Sequence, residues 1–326
     1  MYRVGIVGVG NISGKHIAAV NACESSSLVA LCDIEIEKAR AKADSGVKTF
    51  ANIDELLEWG EFDCLHICTP HYLHCEMGLK AMRAGKHVLC EKPLAIMTAD
   101  AEAMINCARE NNVRLGVVFQ NRYNESSRII KNLLDTNEMG RLIAEKAMLA
   151  WDRDMTYYSQ DNWHGVLAKE GGGVVINQAI HTLDLISWFA NARVESINAS
   201  ISQKRLKGLV ETEDTADALI KFENGVTAVF YATLCYSCNS PVYIELFCEN
   251  GRIIFNGDIL ILRNDKEPEY IKIDSATGAK SYWGNSHDVL IKDFYHSLET
   301  GEKFPITGED ALAAVKIVNG IYDNAR

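Results

Sequence analysis

No stretch of this sequence stays apolar for long enough to span a bilayer, so a membrane-embedded chain is not expected. Positive charge is in short supply: 33 Lys and Arg stand against 44 Asp and Glu, a formal net charge of -11. Nucleic-acid surfaces need clustered Lys and Arg, so no nucleic-acid partner is expected either. The first residues, Met1 to Val7, run directly into a strand pattern without signal-peptide architecture. Ten cysteines are scattered through apolar segments, as reduced thiols would be, and a cytoplasmic protein is the expectation. Cys235 and Cys238 form a single CxxC with no second pair, and Cys68, His71, His74 and Cys75 match no common zinc spacing. No metal site is expected. Internal repeats and low-complexity segments are missing too.

What is present is 326 residues, too many for one ordinary core, so two domains are expected. Val4–Val7 is an apolar strand, followed by Gly8-Val9-Gly10-Asn11-Ile12-Ser13 and an amphipathic helix from about Gly14 to Cys23. Strand, glycine turn and helix are the context a dinucleotide fingerprint requires. Gly8 permits the tight turn, and Gly10 lets the backbone approach a pyrophosphate at the helix N-terminus. The third fingerprint position holds Ser13, small but not glycine. The next strand, Leu28–Cys32, ends at Asp33, placed to accept from the adenosine ribose hydroxyls and to repel a 2′-phosphate. No arginine follows it immediately (Ile34, Glu35 and Ile36 do), which favours NAD over NADP. The alternative role for Asp33 is an N-cap for a helix around Glu35–Ala43.

Further strand–helix units follow, with strands at Lys48–Ala51, Cys64–Cys68, Val88–Cys90 and Leu115–Phe119. Such alternation means a parallel sheet covered on both faces, with ligands beyond the carboxyl ends of its strands. Gly8, Asp33, Thr69, Lys92 and Gln120 fall on that edge. Within Gly85-Lys86-His87-Val88-Leu89-Cys90-Glu91-Lys92-Pro93 a short buried strand delivers Lys92 into the cleft, and Pro93 fixes the backbone there.

The pattern changes after residue 121. Leu142–Trp151 reads as a strand, Asp152–Lys169 as a polar, aromatic-rich loop, and Val174–Phe189 as an apolar helix entered through Gly171-Gly172-Gly173. Strands then follow at Val194–Ile201, Thr215–Phe222, Val226–Leu234, Val242–Cys248, Gly251–Phe255 and Ile259–Leu262. Hairpin turns are expected at Glu223-Asn224-Gly225 and Glu249-Asn250-Gly251. Helices over Ser286–Leu298 and Gly308–Asp323 end the chain. The expected class is α/β: a doubly wound parallel sheet of Rossmann type over 1–121, then an α+β domain with a large, open, mostly antiparallel sheet over 122–326. The closing helix is free to pack back on the first domain. A free sheet face invites pairing, so a homodimer or homotetramer is expected through it.

Asn177, His181, Asp184 and Trp188 recur at helical spacing along one stripe of the apolar helix. A buried polar stripe is costly unless it faces a cavity or satisfies itself, so a network that merely seats the helix is the plain alternative. The preceding glycines, which allow close backbone approach, and the nearby Trp163-His164 favour a polar ligand.

With Gly8-Val9-Gly10-Asn11, Thr69-Pro70 with His74, Gly85 through Pro93, and Gly171-Gly172-Gly173 through His181 and Asp184, the chain resembles the Gfo/Idh/MocA family along essentially its whole length. This is the family of glucose-fructose oxidoreductase and inositol dehydrogenase. The resemblance implies a Rossmann domain, bound NAD(P), and hydride transfer between nicotinamide and a secondary hydroxyl or ketone of a sugar, inositol or related polyol. It puts the family lysine on Lys92 and the family histidine on His181. Asn177 stands where the family often has aspartate; asparagine can hydrogen-bond a hydroxyl but cannot accept its proton. His181 is then the base of choice, with Lys92 stabilising the alkoxide and Asn177 orienting substrate. Lys92 as the base is the close alternative. The implied cofactor contacts are Gly8, Gly10, Asn11, Ile12, Asp33, Thr69, Pro70, His74, Glu91, Lys92 and Gln120. Arg122, Trp163, His164, Asn177 and His181 are the expected substrate contacts. Two rival outcomes use the same cofactor: oxidation-assisted elimination with NAD recycled, and a non-catalytic NAD-binding regulator.

Overall fold

A computed structural model describes residues 1–273 and 286–325. The chain divides into two compact units, Met1–Phe119 with Ser286–Val315, and Gln120–Asn285 with Lys316–Arg326. The division falls two residues from the expected boundary at 121, but residues 286–315 join the first unit. The reason is the apolar stripe Leu290, Ile291, Phe294 and Tyr295, which is fully buried there. The sequence displays such a stripe without saying which sheet receives it.

The first unit runs β1 (Tyr2–Val7), α1 (Ser13–Asn21), β2 (Ser26–Cys32), α2 (Ile36–Lys42), β3 (Lys48–Phe50), α3 (Ile53–Trp59), β4 (Cys64–Ile67), α4 (His74–Arg83), β5 (His87–Cys90), α5 (Thr98–Glu110) and β6 (Leu115–Val117). Its six strands lie in the order β3-β2-β1-β4-β5-β6, and every neighbouring pair is parallel. Ile6, Leu31, Leu65, Ile67, Val88 and Leu89 are sealed from solvent, as strands buried on both faces must be. Each such side chain contributes about 1.5–3 kcal/mol. The order reverses between β1 and β4, and ligands gather beyond the carboxyl ends at such a point.

The second unit contains α6 (Glu125–Asp135), β7 (Leu142–Ala150), the single turns α7 (Met155–Tyr158) and α8 (Leu167–Glu170), and α9 (Ile180–Ala190). Its remaining strands are β8 (Val194–Ser202), β9 (Thr215–Phe222), β10 (Thr227–Thr233), β11 (Tyr243–Cys248), β12 (Gly251–Asn256), β13 (Asp258–Arg263) and β14 (Glu269–Ile271). The eight strands order as β14-β13-β12-β11-β7-β10-β9-β8; only β7 and β10 pair in parallel among the described residues. Both expected hairpins are present, the second turning tightly enough that Cys248 faces Gly251. Strict alternation in β9 buries Ala216, Ala218, Ile220 and Phe222 and exposes Asp217, Leu219 and Lys221. One face is therefore core and the other open. The closing helices are α10 (His287–Thr300), in the first unit, and α11 (Gly308–Asn324), whose residues are shared between the two.

One core residue defies the pattern. Glu145 of β7 lies opposite Leu246 and Ala228, is 2% exposed, and neither carboxyl oxygen has a hydrogen-bond partner among the described residues. Burial pushes its carboxyl well above the usual range. A raised pKa means the folded chain holds a proton that the unfolded chain has already released. The stability it supports is complete below the unfolded carboxyl pKa and falls as pH rises toward the folded one, by up to about 1.4 kcal/mol per pH unit. Glu145→Gln is expected to remove this slope. Urea unfolding across the weakly acidic to neutral range checks it; a stability difference that ignores pH would contradict the assignment.

Candidate functional site

In the first unit, β1 leads into a turn that only glycine can make. Gly8 has φ 85°, and a Cβ there would stand 2.6 Å from the Cys68 carbonyl group at the end of β4. Gly10 is the opposite case: nothing lies within 4 Å of where its Cβ would point. The backbone there is open to close approach by a ligand. No side chain caps α1 at Ile12, and Ser13 Oγ donates to the Gly10 carbonyl at 2.7 Å. Asn11 is exposed and Ile12 half-buried beside this opening.

Asp33 sits just past β2 and fixes the turn. Its Oδ2 accepts from the Val9 amide at 2.7 Å and its Oδ1 from the Glu35 amide at 2.9 Å. The N-cap of α2 is Glu35, so Asp33 is not that helix's cap; it ties the end of β2 to the glycine turn. Lys42, at the end of α2, donates to the carbonyls of Val9 and Gly10 at 3.2 and 2.9 Å. Nothing in the sequence pointed to Lys42, because its partners are some thirty residues away along the chain.

Glu91-Lys92-Pro93 follows β5, with the Lys92–Pro93 peptide cis and Lys92 half-buried. His74, fully buried, binds the Pro93 carbonyl through Nδ1 at 2.7 Å and faces the Thr69 carbonyl through Nε2 at 2.9 Å. Burial lowers its pKa despite both carbonyls. His74, expected as a cofactor contact, sets both ring nitrogens against carbonyls and so ties the segment after β4 to the one after β5. Glu91 likewise faces inward. Its Oε1 lies 2.9 Å from His16 Nε2 and its Oε2 accepts from the Lys92 amide at 3.2 Å. Burial alone would raise its pKa, but His16, His287 and Lys92 outweigh that and hold it at about 2. Thr69 Oγ1, next to Pro70, is buried with no partner among the described residues. A dinucleotide fits this half of the chain: an open glycine backbone, an anchored carboxylate and a buried hydroxyl awaiting a partner. Gln120 opens the second unit, its Oε1 also buried without a partner among the described residues.

In the second unit, α9 begins at Ile180, six residues later than expected. Glu213 sits at the turn before it: its buried carboxylate accepts from the Gly173 and Val175 amides at 2.8 and 3.0 Å, and the Ala179 amide reaches back five residues to the Val174 carbonyl rather than four. Asn177 therefore precedes the helix rather than sharing its stripe. Its amide nitrogen donates to Glu170 at 2.6 Å and to Tyr157 Oη at 3.3 Å. His181 lies in the first turn of α9, half-buried. Asp184, one turn on, takes both arms of the Arg122 guanidinium at 2.8 and 2.6 Å, with side-chain exposures of 8% and 1%. Arg122, expected as a substrate contact, is thus also a strut within the unit, and Trp188 packs 5.5 Å from the same guanidinium. For Asp184 the plain alternative, a network seating the helix, is what the structure shows.

Trp163 and His164 lie ring against ring, 3.7 Å between centroids, with His164 Nδ1 2.7 Å from Asp161. Tyr157 joins them 4.8 Å from His164, and the Arg153 guanidinium lies 5.3 Å from Tyr157. Glu170, Tyr157 and Arg153 were not singled out in the sequence; an aromatic-rich loop was the only sign of them. The triple glycine serves the chain itself. A Cβ on Gly172 would fall 1.9 Å from Tyr322 Oη, and one on Gly173 1.9 Å from the Glu213 carbonyl oxygen. Among the described residues no group of three or more His, Cys, Asp or Glu is arranged to hold a metal ion.

Comparison with known proteins agrees with both halves. Residues 2–119 match the oxidoreductase family with the NAD-binding Rossmann fold, and residues 127–254 match the C-terminal domain of the same Gfo/Idh/MocA family. The 1,5-anhydro-D-fructose reductase of Ensifer adhaerens is 26% identical over 96% of this chain and 92% of its own. The myo-inositol 2-dehydrogenase of Thermotoga maritima is 24% identical over 96% and 93%. Among solved structures, the WlbA dehydrogenase of Bordetella pertussis, in complex with NADH and UDP-GlcNAcA, has TM-score 0.85 and 27% identity over 100% of this chain and 96% of its own. The chain belongs to the Gfo/Idh/MocA family of NAD-binding oxidoreductases.

Proposed function

We propose that the protein moves a hydride between nicotinamide and a secondary hydroxyl or ketone of a sugar, inositol or sugar derivative. The observation that carries this reading is the glycine turn at the β1–β4 switch, open at Gly10 and locked by Asp33, on a chain matched by this family in both halves. NAD, when bound, supplies the hydride acceptor. His181 takes the hydroxyl proton, Lys92 hydrogen-bonds the same oxygen, and Asn177, held by Glu170, orients the substrate. The Tyr157–Trp163–His164 cluster offers aromatic faces, and Arg153 a charge, to a sugar or sugar derivative. The Asp33 carboxylate favours NAD over NADP, since a 2′-phosphate would meet its charge.

A homodimer or homotetramer through the open sheet face belongs to the same proposal. Leu219, Val229 and Tyr231 are 37%, 54% and 38% exposed there, and the register sets Leu219 beside Val229. A cytoplasmic setting is supported by ten cysteines that are all free thiols. No helix among the described residues is long and apolar enough to cross a membrane.

The test is formation of reduced nicotinamide by the purified chain against inositols, aldoses, sugar acids and nucleotide sugars, with NAD and NADP in parallel. One productive substrate class, with NAD preferred, is expected. Failure to bind either dinucleotide, or binding without net reduction on any class, would overturn the reading.

A further inference from the structure

Beneath Glu91 lies a buried chain of polar groups that the reaction itself does not require. His16 of α1 is fully buried and lies 2.9 Å from Glu91 through Nε2 and 2.9 Å from His66 Nδ1 through its own Nδ1. His66 of β4, also fully buried, reaches Tyr295 Oη of α10 at 2.7 Å through Nε2. All four groups lie in the first unit. His287 Nε2 stands 3.8 Å from Glu91 Oε1, and the buried His74 imidazole and the Cys68 and Cys90 thiols also feel that carboxylate, with half-buried Lys92 beside it. Tyr295 faces Cys64 as well as His66.

Counting protons shows why the chain is continuous. Glu91 is an anion and can only accept, so His16 Nε2 must donate to it. A neutral His16 then accepts at Nδ1, which makes His66 the donor at that link and makes Tyr295 donate to His66 Nε2. A protonated His16 donates at both nitrogens; His66 then accepts at Nδ1 and donates from Nε2 to the tyrosine oxygen. Each link holds one proton in either state, and only the direction of the two inner links reverses. The chain therefore keeps its geometry when His16 gains or loses a proton. A core of three apolar side chains would fill the same space with no such links, and half-satisfied polar groups here would be costly.

We propose that His16, His66 and Tyr295 are positioning residues for the reaction: their hydrogen-bonded chain holds the Glu91 carboxylate in one orientation, and Glu91, through the Lys92 amide, holds the Lys92 segment. The proposal rests on Lys92 acting as described above, so its test includes a readout independent of turnover. The experiment is Tyr295→Phe, which deletes one hydroxyl and keeps the ring, in the full chain labelled with 15N-lysine. Cys64→Ala, a change at the same end of the network that removes no link of the chain, is the control for plain destabilisation.

The Lys92 amide resonance is expected to move in Tyr295→Phe and to stay in place in Cys64→Ala. On a productive substrate, kcat in Tyr295→Phe is expected to fall about tenfold with KM within about twofold, the scale of a small misplacement at the reacting groups. Glu91→Gln, which keeps shape but not charge, is expected to move the same resonance further. A Lys92 resonance unmoved in Tyr295→Phe overturns the proposal, whether or not a substrate has been found. So does a kcat per folded protein equal to wild type. A shift of equal size in both variants overturns it too, since general loosening would then account for it. Absence of turnover in the wild type would instead count against the oxidoreductase reading, and the resonance would still decide whether the chain reaches Lys92.

Discussion

Lys92→Ala is expected to lower kcat by about two to four orders of magnitude, the range associated with losing a proton-transfer or charge-stabilising group. The thermal midpoint should change little. Lys92 is half-buried and follows β5 directly, so its side chain is not part of the sheet core. The backbone around it is held by other groups: His74 on the Pro93 carbonyl and Glu91 on the Lys92 amide. Removing the amine thus leaves the segment's supports in place. His181→Ala should give a loss of similar order, and the pair of variants assigns the proton. If His181 is the base, the acid limb of the kcat/KM profile against pH persists in Lys92→Ala and vanishes in His181→Ala; the reverse pattern gives the role to Lys92. Lys92→Arg should not restore activity, because a planar guanidinium cannot replace a compact ammonium. A Lys92→Ala enzyme within a few-fold of wild type would remove this residue from the mechanism.

The strands and glycine turn of residues 1–119 were legible almost to the residue because their signals are local. Val4–Val7, Gly8 and Gly10, and the strand ending at Asp33 each report their structure within a few positions. The open antiparallel sheet was legible for the same reason: alternation and the two Asn-Gly turns mark it. Errors arose where a distant carboxylate overrides the local pattern. Val174 to Ala179 continue the apolar pattern of the helix, yet Val174, Val175 and Ile176 are β-branched and helix-poor, and Glu213, some forty residues on, holds the Gly173 and Val175 amides. The bidentate pair of Arg122 with Asp184, sixty-two residues away along the chain, likewise leaves no mark on the sequence. Glu91 and His74, expected as cofactor contacts from their motif, also hold the loops after β4 and β5, a role the motif does not display. The His16–His66–Tyr295 chain draws on α1, β4 and α10 at once, and no sequence window contains it.

The same close approach makes Gly173 a sensitive backbone position of the second unit. Gly173→Ala would put a methyl group 1.9 Å from the Glu213 carbonyl oxygen, well inside any tolerable distance, and the obstacle is backbone rather than a side chain able to turn away. Relief requires moving either the turn or the segment at Glu213, whose carboxylate also receives Val175 and the Tyr322 hydroxyl. Overpacking of this kind costs about 3 kcal/mol or more, and the loss of buried charge-assisted hydrogen bonds adds to it. Gly172→Ala meets the Tyr322 hydroxyl at the same distance and should be nearly as damaging. Gly171 holds φ 85° at the end of α8, where a side chain is strained, and Gly171→Ala should cost about 1 kcal/mol for that strain. The order expected in urea unfolding is therefore 173 and 172 far above 171. Equal costs at all three would mean that flexibility, not the approach of Glu213 and Tyr322, is what these glycines provide. A Gly173→Ala protein as stable as wild type would mean that the turn before α9 and the Glu213 segment can move apart at no cost, and that their close approach does not hold Asn177 and His181 in place.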